Sequence, residues 1–125
     1  MRLLLDTHIL LWLLAGSRKL PREARQLVLQ SDAYVSAASI WEIAIKVSLG
    51  KLDADPEAIR AALEPSGFDE LPVTAEHAAA VARLPHHHRD PFDRLLVSQA
   101  SIEPMVLLTA DPALRPYGPL VKHVA

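Results

Sequence analysis

Five carboxylates stand where an apolar segment stops or a helix should begin: Asp6, Glu42, Asp90, Asp93 and Asp111. Asp6 separates Leu3-Leu4-Leu5 from Ile9-Leu10-Leu11, and a partly buried charge there needs a partner. Glu42 closes Ser39-Ile40-Trp41-Glu42, Asp93 closes Asp90-Pro91-Phe92-Asp93, and Asp111 closes Thr109-Ala110-Asp111. Carboxylates pressed together repel unless protons or a divalent ion neutralise them. Oxygen ligands in a chain without cysteine suit magnesium or manganese rather than zinc. Such ions bind phosphate oxygens, lower the pKa of a bound water and favour in-line attack on phosphorus. The chemistry pointed to is hydrolysis of a phosphodiester or phosphate ester.

Taken singly, most of these acids also have a structural reading. Ser39 to Glu42 has the spacing of a capping box. Asp90 before Pro91 is an ordinary helix N-cap, and Asp111-Pro112 is a turn signal. Asp6, which interrupts an otherwise oily segment, is harder to dismiss in this way. The joint pattern is stronger than any member.

The elements that must position these acids alternate between strand and helix. Arg2 to Leu5 reads as a buried strand, followed by a helix over Thr7–Ala15 that Gly16 stops. A second helix is expected from Pro21 to about Gln30, and a second strand over Ala33–Val35. Ser36 or Ser39 caps a helix through Leu49, and Asp55-Pro56 opens another that closes near Ser66-Gly67. Leu71-Pro72-Val73 is a weak edge strand, and Thr74 caps an alanine-rich helix ending near Leu84. Asp90-Pro91 starts a helix through Ala100, Val106 to Thr109 is a strand, and Asp111-Pro112 begins a turn or short helix. Val121–Val124 is an expected last edge strand.

Strands separated by helices imply crossovers and a mainly parallel, helix-covered sheet: a three-layer α/β/α sandwich. Its core should include Leu4, Leu5, Ile40, Ile43, Ala44, Leu95, Leu96 and Leu107. In such folds the site lies beyond the carboxyl ends of the strands, where Asp6 and Asp111 would stand.

Composition sets the outer limits. The 125 residues fit one domain, 1–125, and 50% hydrophobic content supports a real core. The longest apolar run, Ile9 to Ala15, is too short to span a membrane, and Asp6 spoils a signal-peptide core. A soluble cytoplasmic protein is therefore expected. A net charge of −2 argues against holding nucleic acid by bulk positive charge, although metal-ligand acids would leave the remaining bases in slight excess.

Four blocks carry a family resemblance. Met1-Arg2-Leu3-Leu4-Leu5-Asp6-Thr7-His8, Ser39-Ile40-Trp41-Glu42-Ile43-Ala44-Ile45-Lys46, Arg89-Asp90-Pro91-Phe92-Asp93-Arg94-Leu95-Leu96 and Leu108-Thr109-Ala110-Asp111 resemble the PIN-domain nucleases. They look most like the VapC-type toxins of bacterial toxin–antitoxin pairs. The resemblance implies a magnesium- or manganese-dependent endoribonuclease that leaves 5′-phosphate and 3′-hydroxyl ends. By motif, Asp6, Glu42, Asp93 and Asp111 are implied to be the catalytic, metal-binding acids. Thr109 is implied to orient water or metal, and Asp90 is read as a cap that assists the site. The implied partners are an RNA substrate and a cognate antitoxin, and a homodimer is expected. The apolar faces around Ile9–Ala15 and Ile43–Leu49 suit the antitoxin, with homodimerisation as the rival use of the same surface or as a second assembly on a different face.

Other residues invite roles and carry plainer readings. His86-His87-His88 is read as solvated loop histidine, with metal or phosphate contact as the alternative. His8 is read as a packed helical histidine, and Trp12 as core or subunit interface. Lys46, Arg89 and Arg94 suit either phosphate positioning or simple surface charge. Two rival functions remain open: a magnesium-binding phosphoacceptor signalling domain, and a catalytically silent partner-binding scaffold. The first wants paired acids after the first strand, where this chain has one.

Overall fold

Leu3, Leu4 and Leu5 are all fully buried in β1 (Arg2–Leu5), as the middle strand of a helix-covered parallel sheet requires. The computed structural model describes residues 1–124. β2 (Asp32–Ser36), β3 (Asp69–Leu71), β4 (Val106–Thr109) and β5 (Val121–His123) complete the sheet in the order β3-β2-β1-β4-β5. Every pairing is parallel. β3 lies two residues earlier than the sequence reading placed it. Pro72 has no N–H to give the ladder, so pairing ends at Leu71.

Strand alternation divides the interior into two layers. Leu3, Leu5, Ala33, Val35 and Leu108 face one side, while Leu4, Leu71 and Leu107 face the other. Over the first side lie α1 (Thr7–Ala15), α2 (Arg22–Leu29), α3 (Ala37–Ser48) and α4 (Pro56–Ala62). Over the second lie α6 (Pro91–Ile102) and Leu114 from the 3-10 stretch Pro112–Leu120, with α5 (Ala75–Ala80) packed on α6. The protein is a three-layer α/β/α sandwich. Among the expected core residues Ile40, Ala44 and Leu95 are only half-buried, because each sits toward the rim of its helix face.

Local chemistry sets the helix boundaries. Gly16 takes φ 62° to close α1, a left-handed conformation that a side chain would strain. Ser36, and not Ser39, caps α3 by accepting from Ala38 N at 3.0 Å. Glu42 therefore lies in the second turn of α3, and Ser39–Glu42 is not a capping box. α4 ends at Ala62, short of the expected Ser66-Gly67, and turn residues 63–67 follow. Among the described residues no helix is long and apolar enough to cross a membrane.

Candidate active site

β1 and β4 are neighbours, and the chain leaves β1 toward β2 on one side and reaches β4 on the other. Their carboxyl ends thus form the topological switch point of the sheet, where a crevice opens. Asp6 stands at that point directly after β1, and its backbone N donates to Leu108 O of β4 at 2.9 Å. Its side chain is buried and held twice: Oδ1 accepts from Thr7 N at 2.7 Å and Oδ2 from Thr109 Oγ1 at 2.6 Å. Thr109 Oγ1 also accepts from Asp111 N at 3.0 Å, so one hydroxyl ties both strand-end acids together.

Glu42 reaches the same place from α3 and is buried. Thr7 Oγ1 lies 2.8 Å from Glu42 Oε1 and 2.9 Å from Ser39 Oγ. A carboxylate only accepts, so the single Thr7 proton goes to Glu42 and the Ser39 hydroxyl donates to Thr7. Lys46 Nζ, one turn further along α3, sits 2.8 Å from Glu42 Oε2.

Asp90 caps α6, its Oδ1 accepting from Phe92 N at 2.9 Å and Asp93 N at 3.1 Å. This cap fixes the first turn and hence the direction of the Asp93 side chain. Asp93 Oδ2 lies 2.7 Å from His88 Nε2, and the same nitrogen is 3.8 Å from Asp111 Oδ2. Asp111 Oδ1 accepts from Ala113 N at 2.9 Å and caps the 3-10 stretch after it.

The electrostatics show these acids in one field. Burial pushes the Asp93 carboxyl up to about 7; the Asp6 charge adds to the rise, and the His88 hydrogen bond opposes it. Asp6 is also raised, chiefly by burial, against hydrogen bonds from Thr109 and Thr7 and with a contribution from Glu42. Repulsion between acids is thus present, but loss of water is the larger cause. The Lys46 ammonium is held above its ordinary value, first by its hydrogen bond to Glu42, against a burial cost. The charges of Glu42, Asp90 and Asp93 support it further.

The four acids singled out in sequence are linked at this end of the sheet, Asp6 to Asp111 through Thr109 and Asp93 to Asp111 through His88. Asp6 is linked to Glu42 and Asp93 through their charges, while Asp90 caps the helix that carries Asp93. Three residues that sequence reasoning underrated join them: Thr7, Ser39 and His88. Thr7 had one signal, a hydroxyl next to Asp6 at a helix start. The loop setting of His88 predicts a solvated ring, yet the residue is half-buried against Asp93, while His86 and His87 are exposed. His8 is exposed rather than packed, and Arg89 is exposed. Trp12 packs partly buried against the α1 side of the core. Arg94 is neither surface charge nor free for phosphate: it is buried and donates to the carbonyls of Val81 and Pro85 at 3.1 and 3.0 Å. Its signal was a charge inside the helical pattern around Leu95-Leu96-Val97, which only the fold explains.

A divalent cation among these oxygen donors would replace the proton that burial keeps on Asp93 and share the neutralising role of Lys46, which touches Glu42 and feels the charges of Asp90 and Asp93. His88, Asp90 and Asp93 each offer an atom, all within 4.8 Å of one another. The side chains present fit magnesium or manganese.

No curated protein matches the sequence. Solved structures do match in fold. A toxin–antitoxin complex from Klebsiella pneumoniae aligns with TM-score 0.68 at 20% identity, over 97% of this chain and 98% of that one. VapBC2 from Rickettsia felis, bound to a promoter DNA fragment, aligns at 0.71 with 16% identity over 98% of both chains. DNA-bound VapBC from Salmonella typhimurium aligns at 0.69 with 16% identity, over 99% and 97%. The family model described as PIN domain matches residues 3–118, so the chain belongs to the PIN domain family.

Proposed function

We propose that the chain is a metal-dependent endoribonuclease and the toxin of a toxin–antitoxin pair. The observation that carries this reading is the grouping of Asp6, Glu42, Asp93 and Asp111 at the switch point, with the Asp6 and Asp93 carboxyls raised chiefly by burial. These four acids are proposed to hold Mg2+ or Mn2+. When bound, the ion supplies a water of lowered pKa and positive charge against the phosphate. Thr109 and Thr7 orient Asp6, and Thr7 orients Glu42, before any substrate arrives. Asp93, whose carboxyl burial raises to about 7, would be one of the residues that hold the cation, in its deprotonated form and with its proton passed to solvent. Lys46, paired with Glu42 and 40% exposed at its side chain, would be within reach of a phosphate oxygen of the RNA beside the acids.

The test is cleavage of single-stranded RNA by the purified chain with Mg2+ or Mn2+. Activity should vanish with chelator and in Asp6→Asn and Asp93→Asn, and the products should carry 5′-phosphates. Cleavage that survives both substitutions defeats the site assignment. A phosphoacceptor reading has less support, because Thr7 occupies the place of a paired acid and serves as an orienting donor.

The same reading supplies protein partners. A groove of about 690 Å³ runs between α1, α3 and the segment entering α4, lined by Leu11, Trp12, Leu14, Ile43, Leu52 and Ile59. It opens beside Thr7, His8 and Lys46, next to the acids. Since two of the solved structures of the same fold are named as VapBC and another as a toxin–antitoxin complex, an antitoxin segment is the proposed occupant. An amphipathic helix would bury its apolar side there, with a basic side chain reaching the carboxylates. Self-association is proposed on another face. Trp41 is 60% exposed, stacked edge-on to Phe92 at 5.2 Å, beside a hollow lined by Ala78, Val81, Pro91 and Leu95. Two copies could meet there about a two-fold axis, each presenting Trp41 to the hollow of the other.

A further inference from the structure

We infer that His88 is itself a ligand in the acidic crevice and decides which divalent ion the crevice prefers. The inference rests on the proposed function only in taking these acids as an ion site; it requires no RNA.

Two ligand atoms at right angles around an ion, each about 2.1 Å from it, lie roughly 3 Å apart. His88 Nε2 is 2.7 Å from Asp93 Oδ2 and 3.8 Å from Asp111 Oδ2, which brackets that spacing. An imidazole can carry its proton on either nitrogen, so with the proton on Nδ1 the Nε2 lone pair faces the space between Asp93 and Asp111.

The position of His88 is held from behind by a buried guanidinium. Arg94 is buried, and its guanidinium donates to Val81 O, Pro85 O, His88 O at 3.4 Å and Tyr117 Oη at 3.4 Å. Tyr117 in turn donates to Pro85 O at 3.1 Å, and the His87 ring packs edge-on to the Tyr117 ring at 5.1 Å. A buried cation is costly unless hydrogen-bonded, and here its bonds go mainly to main-chain carbonyls of the segment leading into His88. The segment is anchored so that its last histidine faces Asp93 and Asp111.

An imidazole nitrogen changes ion preference. Magnesium favours oxygen donors, whereas manganese and later transition ions accept nitrogen with increasing affinity. With carboxylates alone the crevice would bind the two ions similarly. With His88 it favours Mn2+.

Calorimetric titration of the purified full chain with Mn2+ alone and Mg2+ alone, without RNA, tests this. His88→Ala should lose about tenfold or more in Mn2+ affinity and less than about threefold for Mg2+. His88→Gln, which offers an amide oxygen, should narrow the Mn2+/Mg2+ ratio while keeping Mg2+ binding. Metal-free melting confirms that each variant is folded, as expected for a loop position. Unchanged Mn2+ affinity in His88→Ala, or equal losses for both ions, overturns the inference. A chain that shows the His88-dependent preference yet cuts no RNA leaves this inference standing while the ribonuclease reading falls.

Discussion

The hydroxyl of Thr109 donates a 2.6 Å hydrogen bond to Asp6 Oδ2 across 103 positions of sequence. Both residues are buried: Asp6 directly follows the middle strand β1, and Thr109 ends its neighbour β4. The bond fixes the Asp6 carboxylate and, through the Asp111 N–H, the start of the following 3-10 stretch. It also works against burial, which otherwise raises the Asp6 carboxyl.

Thr109→Val keeps the shape and removes the hydroxyl. It leaves Asp6 Oδ2 without its donor and Asp111 N without its acceptor, at a cost of about 1–3 kcal/mol per group left unsatisfied. We expect urea denaturation in chelator to show a loss of about 2 kcal/mol, with Thr109→Ser retaining most of the stability. Ion affinity near neutral pH should fall further in the valine variant than in the serine variant, since Asp6 then holds its proton more tightly. A valine variant as stable as the parent would show that this bond orients without stabilising.

The raised Asp93 carboxyl sets a pH dependence. Its pKa is about 7 in the fold against an ordinary 3.8, so across that window the folded chain keeps a proton that the unfolded chain has lost. The contribution is fully present below about 4 and is lost as pH rises through about 7. Asp6 acts in the same direction. In chelator, the parent chain should therefore lose more melting temperature across this window than Asp93→Asn does. Manganese reverses the trend, because it competes with the same proton: its stabilisation should grow with pH, reaching about 2.7 kcal/mol at one hundred times the dissociation constant. Identical pH profiles for parent and Asp93→Asn would contradict this account.

What the sequence made legible follows from the range of the interactions involved. β1 and β4 announce themselves as apolar runs, and Asp55, Thr74 and Asp90 cap their helices as local spacing implies. Asp6, Asp93 and Asp111 were visible as candidates because each stands beside such a boundary, whereas Glu42 lies in the second turn of its helix. Glu42 was recognised but its setting was not, since the Thr7 contact that orients it spans 35 residues. His88 was underrated for the same reason: nothing within its loop reveals that Arg94, six residues later and on a helix, holds its carbonyl. β3 slipped by two residues because the proline argument gave an edge strand without saying which side of Pro72 would pair.

Arg94 offers a prediction about stability rather than chemistry. A lysine cannot reproduce the planar fork that reaches Val81 O and Pro85 O together. Arg94→Lys should cost about 3 kcal/mol in urea denaturation, the loss of two or more charged hydrogen bonds counted without full additivity. Hydrogen exchange should quicken at residues 84–89. Tyr117→Phe, which removes one bond to Pro85 O, should cost about 1 kcal/mol. Unchanged exchange in the loop of Arg94→Lys would mean that the guanidinium does not anchor it.

The two partner surfaces should be separable by single substitutions. At about 100° per residue, Trp41 lies nearly opposite Ile43 and Lys46 on α3, so a partner in the groove does not touch the Trp41 face. Trp41→Glu should turn a dimer into a monomer in light scattering after size exclusion and leave capture of the antitoxin intact. Leu14 is 37% exposed in the groove, in the last turn of α1, where a lysine suits the helix dipole and leaves the fold undisturbed. Leu14→Lys should weaken antitoxin capture in co-expression and leave the dimer unchanged. If Trp41→Glu abolishes both assemblies, the antitoxin binds only the dimer and the surfaces are coupled. If the parent chain is a monomer, the Trp41 face has another use, and Leu14→Lys alone then decides whether the groove is where an antitoxin binds.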